Sequence, residues 1–124
     1  MQALVFDPDT PHGLRLGEAP DPQPGPSEVL VQVAATSLNF GEVAFLRDRA
    51  APGDVAGWDA AGTVLATAAD GSGPPEGSRV VTFGWSGAWA QLRAVDPGEL
   101  AILPEAVDLH SAAALPVAGV TALR

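Results

Sequence analysis

Ser37-Leu38-Asn39-Phe40-Gly41-Glu42 begins the stretch that decides the fold, and Gly57-Trp58-Asp59-Ala60-Ala61-Gly62 ends it. Asn39 and Glu42 have capping-box spacing, with Asn in place of Ser or Thr, so a short helix is predicted to begin after Asn39. Gly57 and Gly62 bracket a strand of small side chains, which another backbone or a ligand can approach closely. We expect the polar and aromatic side chains of the stretch to surround one concave site: Asn39, Phe40, Trp58 and Asp59.

The composition is that of one acidic globular domain. The 124 residues carry a formal net charge of −9, and all six basic residues are arginine, so the cationic stripe that a nucleic acid requires is missing. The absence of cysteine excludes disulfides and thiolate zinc sites. Met1–Phe6 does not resemble a signal peptide, and the longest apolar run, Ala112–Leu123, is too short to span a bilayer. We therefore expect a soluble cytoplasmic protein with neither nucleic acid nor membrane as a partner.

Short apolar segments separated by Gly and Pro run along most of the chain. The proline-rich segment Ala19–Pro26 is predicted to be an extended connector, because proline cannot donate to a continuous ladder. In the segment 88–95, strict alternation puts Trp89, Gln91 and Arg93 on one face. Many short strands and one early helix predict a mainly β fold, either a barrel or a sandwich. The predicted strands are 2–6, 14–16, 28–35, the glycine-bracketed stretch 57–62 with its continuation 63–68, 78–83, 88–95 and 100–103.

The last part of the chain changes character. Asp108 is the expected N-cap of an alanine-rich helix over 109–115, which Pro116 should interrupt. A second helix is predicted from Val117 to Arg124. We therefore divide the chain into a β domain, residues 1–115, and the start of a helix leading into a further domain, residues 116–124.

Three segments in the right order resemble motifs of the medium-chain dehydrogenase/reductase superfamily, close to its quinone oxidoreductase and enoyl reductase branches. These are Leu38–Glu42, Gly57–Val64 and Ala112–Ala122, with Glu42 in place of the family's Asp and Asp59 in place of its Glu. The resemblance implies a mainly β domain with a few helices, built as a GroES-like, partly open β-barrel. In the family a doubly wound nucleotide-binding domain follows, and we expect the chain to stop before it.

The resemblance also implies a zinc-free member. Asn39 and Trp58 lie at the positions that match the first two catalytic zinc ligands of the superfamily. Neither side chain is suited to zinc. His12 and His110 have no second ligand at metal spacing. The cysteine-rich structural zinc lobe is absent as well, so no metal site is expected.

Asn39, Phe40 and Thr121 are the cofactor-binding residues that the resemblance implies, with NADPH as the cofactor and NADH as an alternative. From the residues alone, Asn39 is a helix cap and Thr121 an ordinary helix threonine bonded back to a carbonyl. In the family, the Asn at the matching position hydrogen-bonds the cofactor near the nicotinamide. Most of the cofactor's binding energy is expected from the nucleotide-binding domain, which holds the dinucleotide fingerprint.

Trp58 and Trp85 are sparse aromatic residues beside glycines, and they either pack in the core or line an apolar substrate pocket. Glu42 and Asp59 form a pair of carboxylates. Capping and supporting roles are favoured for this pair over general acid–base catalysis, and no catalytic residue is assigned.

The function implied is that of the substrate-side domain of a zinc-independent NAD(P)H-dependent oxidoreductase. It would reduce quinones or activated C=C or C=O groups of a small-molecule substrate by hydride transfer. We expect the full-length protein to be a homodimer and the 124 residues alone to be inactive. The alternative is a non-catalytic GroES-like barrel that acts as an interaction module, since a fold does not determine function.

Overall fold

A hairpin at the N-terminus forms the smaller of two antiparallel sheets in the computed structural model, which describes residues 1–124. Strands β1 (Gln2–Phe6) and β2 (Leu14–Glu18) pair with Leu4 opposite Leu16. The predicted hairpin is thus confirmed. The proline-rich connector that follows forms no strand, also as predicted.

The larger sheet has five strands in the order β6-β3-β4-β5-β7, all antiparallel. Both sheets are open and form no closed barrel, as expected of a partly open GroES-like domain. Strand β4 lies within the strand predicted from Gly57 to Ala68: it begins at Asp59, which pairs with Phe83, and it ends at Ala66. The strands are β3 (Val29–Thr36), β4 (Asp59–Ala66), β5 (Arg79–Phe83), β6 (Leu92–Val95) and β7 (Leu100–Ile102).

The predicted strand over residues 88–95 is wrong in its first half. Of this segment, only residues 92–95 form a strand, β6, which pairs with β3, whereas residues 88–91 connect the two sheets. Trp89 donates its backbone N–H to Ala56 and accepts from Leu4, and Gln91 donates to Gln2. Most backbone groups of this segment are therefore satisfied outside the five-stranded sheet, although Gln91 O accepts from Val33 N of β3 at 2.9 Å.

All helices are short: α1 (Phe40–Ala44), α2 (Leu46–Arg49), α3 (Leu109–Ala113) and α4 (Val120–Ala122). Asp108 caps α3 as predicted, accepting a hydrogen bond of 2.9 Å from Ser111 N. The continuous second helix predicted from Val117 is wrong, because residues Leu115–Gly119 form a π-helical turn before α4. Pro116 accounts for this widening, since it has no N–H and its ring collides with an α-helical carbonyl four residues earlier.

Buried valines fill the space enclosed by the larger sheet: Val29, Val31, Val64, Val80 and Val95. A second cluster, around Phe6, Leu46 and Trp89, joins the hairpin to the helices. Gly62 makes the expected close approach, because a Cβ there would lie 2.0 Å from Gln32 O. Gly62 therefore lets β3 and β4 lie close together.

Candidate functional site

A buried carboxylate at the first residue of β4 lies at the centre of the site. Asp59 is 0 % exposed, and its Oδ2 accepts hydrogen bonds from Ser37 Oγ at 2.9 Å and Asn39 Nδ2 at 3.0 Å. The same oxygen accepts from Val117 N at 3.3 Å. Its Oδ1 is buried with no hydrogen-bond partner. Asp59 thus joins β4, the start of α1 and the π-helical turn.

Glu42 on α1 is the second buried carboxylate. It accepts from the backbone N–H of Asn39 at 2.5 Å, as in a capping box, and from the backbone N–H of Trp58. Burial raises the pKa of Glu42, and the negative charge of the nearby Asp59 raises it further. The two backbone hydrogen bonds act in the opposite direction and lower this pKa. Glu42 therefore fixes the helix start and the residue before Asp59 as one unit.

Aromatic side chains line a cleft beside this pair of carboxylates. The ring of Trp85 makes edge contacts with Trp58 and Phe83, each with 5.1 Å between ring centroids. Trp85 is nevertheless 68 % exposed. The cleft measures about 480 Å³ and is lined by Trp58, Phe83, Trp85, Pro116, Val117, Val120, Thr121 and Arg124.

A buried arginine supports the aromatic residues from behind. Arg93 on β6 is only 6 % exposed and donates to Trp58 O at 2.9 Å, to Thr82 Oγ1 at 2.8 Å and to Ser86 O at 2.9 Å. Burial lowers the pKa of its guanidinium, while the charges of Glu99, Asp59 and Glu42 oppose that change. Sequence reasoning placed Arg93 on one face with Trp89 and Gln91, but Gln91 is exposed, so alternation gave no signal for the burial of Arg93.

The structure brings together three of the five residues proposed as site residues. Trp58, Trp85 and Thr121 line one cleft. Asn39 does not line it and is connected to it through Asp59 and Val117. Phe40 is 85 % exposed and lines none of the cavities. Sequence reasoning missed Ser37, Phe83 and Val117, because their roles depend on contacts between distant parts of the chain.

The chain places no three His, Asp or Glu side chains together in a group that would hold a metal ion. Both histidines, His12 and His110, are exposed. The side-chain amide of Asn39 is bound to Asp59 and Ser37. None of the helices has the length and apolar character needed to cross a membrane.

The fold and the sequence of this domain define its class. Residues 25–105 match the family model described as "Alcohol dehydrogenase GroES-like domain". The chain therefore belongs to that family and, through it, to the medium-chain dehydrogenase/reductase superfamily.

Particular relatives fall into three groups. The chain is 36% identical over 105 residues to the synaptic vesicle membrane protein VAT-1 homolog of Rattus norvegicus, covering 82% of this chain and 26% of that protein. It is 32% identical over 127 residues to the trans-enoyl reductase tazE of Aspergillus terreus, covering 89% of this chain and 42% of tazE.

The fold of the chain matches the quinone oxidoreductase from Thermus thermophilus, a protein also solved in complex with NADPH. That match has a TM-score of 0.80 and 31% identity, and covers 99% of this chain and 39% of the oxidoreductase. The chain thus spans less than half the length of each of these relatives.

Proposed function

We propose that this domain forms the substrate side of the active site of an NAD(P)H-dependent reductase. The substrate is a quinone or another compound with an activated C=C or C=O group, and the reaction is hydride transfer. The observation that carries the proposal is the cleft in which Trp58, Trp85 and Thr121 meet. Similarity to a quinone oxidoreductase and a trans-enoyl reductase supports this reaction class.

The lining of the cleft fits a nicotinamide ring. Its walls are mostly apolar and suit a flat ring, and the exposed Thr121 offers a hydroxyl to a carboxamide. The Asn39 Nδ2 group already donates to Asp59, so its carbonyl oxygen is left for any contact with the cofactor. When bound, the cofactor supplies the hydride.

The residues of this chain orient the substrate and exclude water. Trp58 and Trp85 give the cleft an aromatic side against which a flat substrate packs. Glu42 and Asp59 accept hydrogen bonds from their own neighbours and do not line the cleft. They therefore act by holding Asn39 and Trp58 in place.

We propose that the reaction needs no zinc. The indole nitrogen of Trp58 is a donor only, and the Asn39 amide is engaged by Asp59. Without zinc, the substrate carbonyl is polarised by hydrogen-bond donors. The hydroxyl of Thr121 is such a donor and lies in the cleft.

The test uses a protein in which this domain is joined to a nucleotide-binding domain. NADPH oxidation is followed with 1,4-benzoquinone as the acceptor, before and after removal of metals by a chelator. Thr121→Val is expected to raise the KM for NADPH about five-fold, the value of one modest hydrogen bond. Thr67→Val, at an exposed threonine just beyond β4, is the matched control and should leave the KM unchanged.

Two results would reject parts of the proposal. Loss of turnover on chelation contradicts zinc independence. A folded protein that oxidises no NADPH with quinones or enoyl substrates contradicts the reductase assignment, and it favours a non-catalytic interaction module.

A further inference from the structure

We infer that Arg93 is a positioning residue that fixes an aromatic wall between two cavities and thereby limits the size of the substrate. The aromatic wall consists of Trp58 and Trp85. The inference rests on the proposed function for its effect on turnover, but the wall itself can be observed without any reaction.

The aromatic wall has a cavity on each side. On one side lies the cleft with Thr121 and Val120, of about 480 Å³. On the other lies a rear cavity of about 300 Å³, lined by residues of the helices and the following loop, including Gly41, Leu46, Ala50 and Ala56. Trp58 and Trp85 line both cavities. Movement of either ring would therefore merge the two spaces.

Arg93 contacts the backbone of both parts of the aromatic wall. One hydrogen bond goes to the carbonyl of Trp58 itself, and another goes to the carbonyl of Ser86, the residue after Trp85. Arg93 is the one side chain whose hydrogen bonds join the backbone at Trp58 to the loop that carries Trp85. Backbone bonds hold the two ends of the loop, from Gly84 N to Trp58 O at 3.1 Å and from Gly87 N to Val55 O at 2.9 Å. Between these ends, the bond from Arg93 to Ser86 O is the one next to Trp85.

The surroundings of Arg93 indicate that an arginine is specifically accommodated. Its guanidinium is buried and takes part in none of the salt bridges, so its hydrogen bonds all go to neutral oxygens, and the carboxylates of Glu99, Asp59 and Glu42 favour its charge only from a distance. An apolar side chain on a buried strand face would avoid this desolvation cost. A Cβ at Gly84 would lie 2.5 Å from Arg93 Nη2, so the glycine leaves the space that the guanidinium fills. The benefit that we assign to this arrangement is the fixed position of the two indole rings.

The consequence for specificity concerns substrate size. While the aromatic wall is fixed, the substrate has only the part of the cleft that the nicotinamide ring leaves free, which suits a single flat ring. Without the hydrogen bonds from Arg93, Trp85 is free to turn on its exposed loop and the rear cavity becomes accessible. Larger polycyclic quinones then become better substrates relative to small ones.

The test compares Arg93→Met with Arg79→Met in the protein that carries both domains. Arg79 is a suitable control because it also donates to three backbone carbonyls, those of Pro104, Glu105 and Val107, away from the aromatic wall. One readout is the exciton couplet of the paired indoles in circular dichroism, assigned with Trp85→Leu. The other is the ratio of kcat/KM for phenanthrenequinone to that for benzoquinone.

We expect Arg93→Met to lose most of the couplet and to raise the ratio about tenfold, while Arg79→Met changes neither. A couplet and a ratio equal to those of the wild type in folded Arg93→Met would overturn the inference. If Arg93→Met does not fold, Arg93→Lys, which keeps the charge but loses the forked geometry, is tested by the same criteria. If no variant oxidises NADPH, the proposed function fails and the couplet alone decides the role of Arg93.

Discussion

Asn39 Nδ2 donates a hydrogen bond of 3.0 Å to Asp59 Oδ2, the oxygen that also accepts from Val117 N. One carboxylate thus connects the residue before α1 with the turn that leads to Thr121. Because Asp59 is fully buried, this connection is shielded from solvent and sensitive to any change of the carboxylate. The positions of Asn39 and Thr121, two of the three residues implied as cofactor contacts, therefore depend on Asp59, although they do not line a common cavity.

We expect Asp59→Ala to lower the free energy of unfolding by about 3 kcal/mol, because it leaves several donors without their acceptor. Asp59→Asn should cost about 1 kcal/mol or less. The oxygen of the Asn side chain can take the place of Asp59 Oδ2 and accept the same hydrogen bonds. Its NH₂ group then takes the place of Oδ1, an atom that makes no hydrogen bond in the wild type. Urea unfolding monitored by circular dichroism measures both values. Equal losses in the two variants would show that the negative charge matters more than the acceptor geometry.

A second prediction concerns pH and Glu42. Burial raises the pKa of the folded Glu42 above its usual 4.5, so on raising the pH the unfolded chain loses this proton first. Where the unfolded state binds fewer protons, stability falls as pH rises. The contribution of Glu42 to the free energy of unfolding is therefore fully present below about pH 4.5. It is lost as the pH rises through the pKa of Glu42 in the folded state.

The measurement is the free energy of unfolding of the wild type minus that of Glu42→Gln, from about pH 4 to about pH 7. This difference should decrease with pH. Subtraction removes the opposite contributions of Asp7, Asp70 and Asp108, whose pKa values are lowered by hydrogen bonds in both proteins. The exposed Glu105→Gln controls for the loss of one surface charge. A difference that increases with pH would contradict the prediction.

Local patterns were enough to predict most of the fold. Alternation and turn residues placed the hairpin, β3 and β5, and the Asp108 cap predicted the start of α3. The segment 88–91 was misjudged because its hydrogen-bond partners, Gln2, Leu4 and Ala56, lie far away in sequence. Periodicity describes which face is buried, but it carries no information about which strand supplies the partner.

The site was only partly predictable, for the same reason. From their positions beside glycines, Trp58 and Trp85 were expected either to pack in the core or to line a substrate pocket, and the structure places both in one cleft. Arg93 was recognised only as a member of an alternating face. Its contacts with Trp58 O and Ser86 O depend on three strands meeting, which no local pattern encodes.

A third prediction compares two glycines with similar backbone conformations. Gly53 and Gly57 have φ angles of 91° and 98°, but only Gly57 is crowded, with its hypothetical Cβ 2.3 Å from Trp89 Cδ1. Gly53→Ala should therefore cost about 1–2 kcal/mol, the cost of a left-handed conformation. Gly57→Ala should cost about 3 kcal/mol or more, because overpacking against Trp89 is added. Thermal unfolding of the two variants tests this, and similar losses would show that the loop relaxes.

The last prediction separates substrate binding from stability at Trp85. Its ring contacts Trp58 and Phe83 only by edges and is largely exposed, so Trp85→Ala should lower the free energy of unfolding by about 1 kcal/mol. In a protein with both domains, however, the KM for benzoquinone should rise about tenfold, because a flat ring in the cleft loses its aromatic contact. Phe45→Ala is the matched control: its ring is also exposed and lies outside every cavity, next to Arg49. Steady-state kinetics at saturating NADPH give both KM values. If Phe45→Ala raises the KM as much as Trp85→Ala does, the effect comes from general destabilisation, and the cleft is not where the substrate binds.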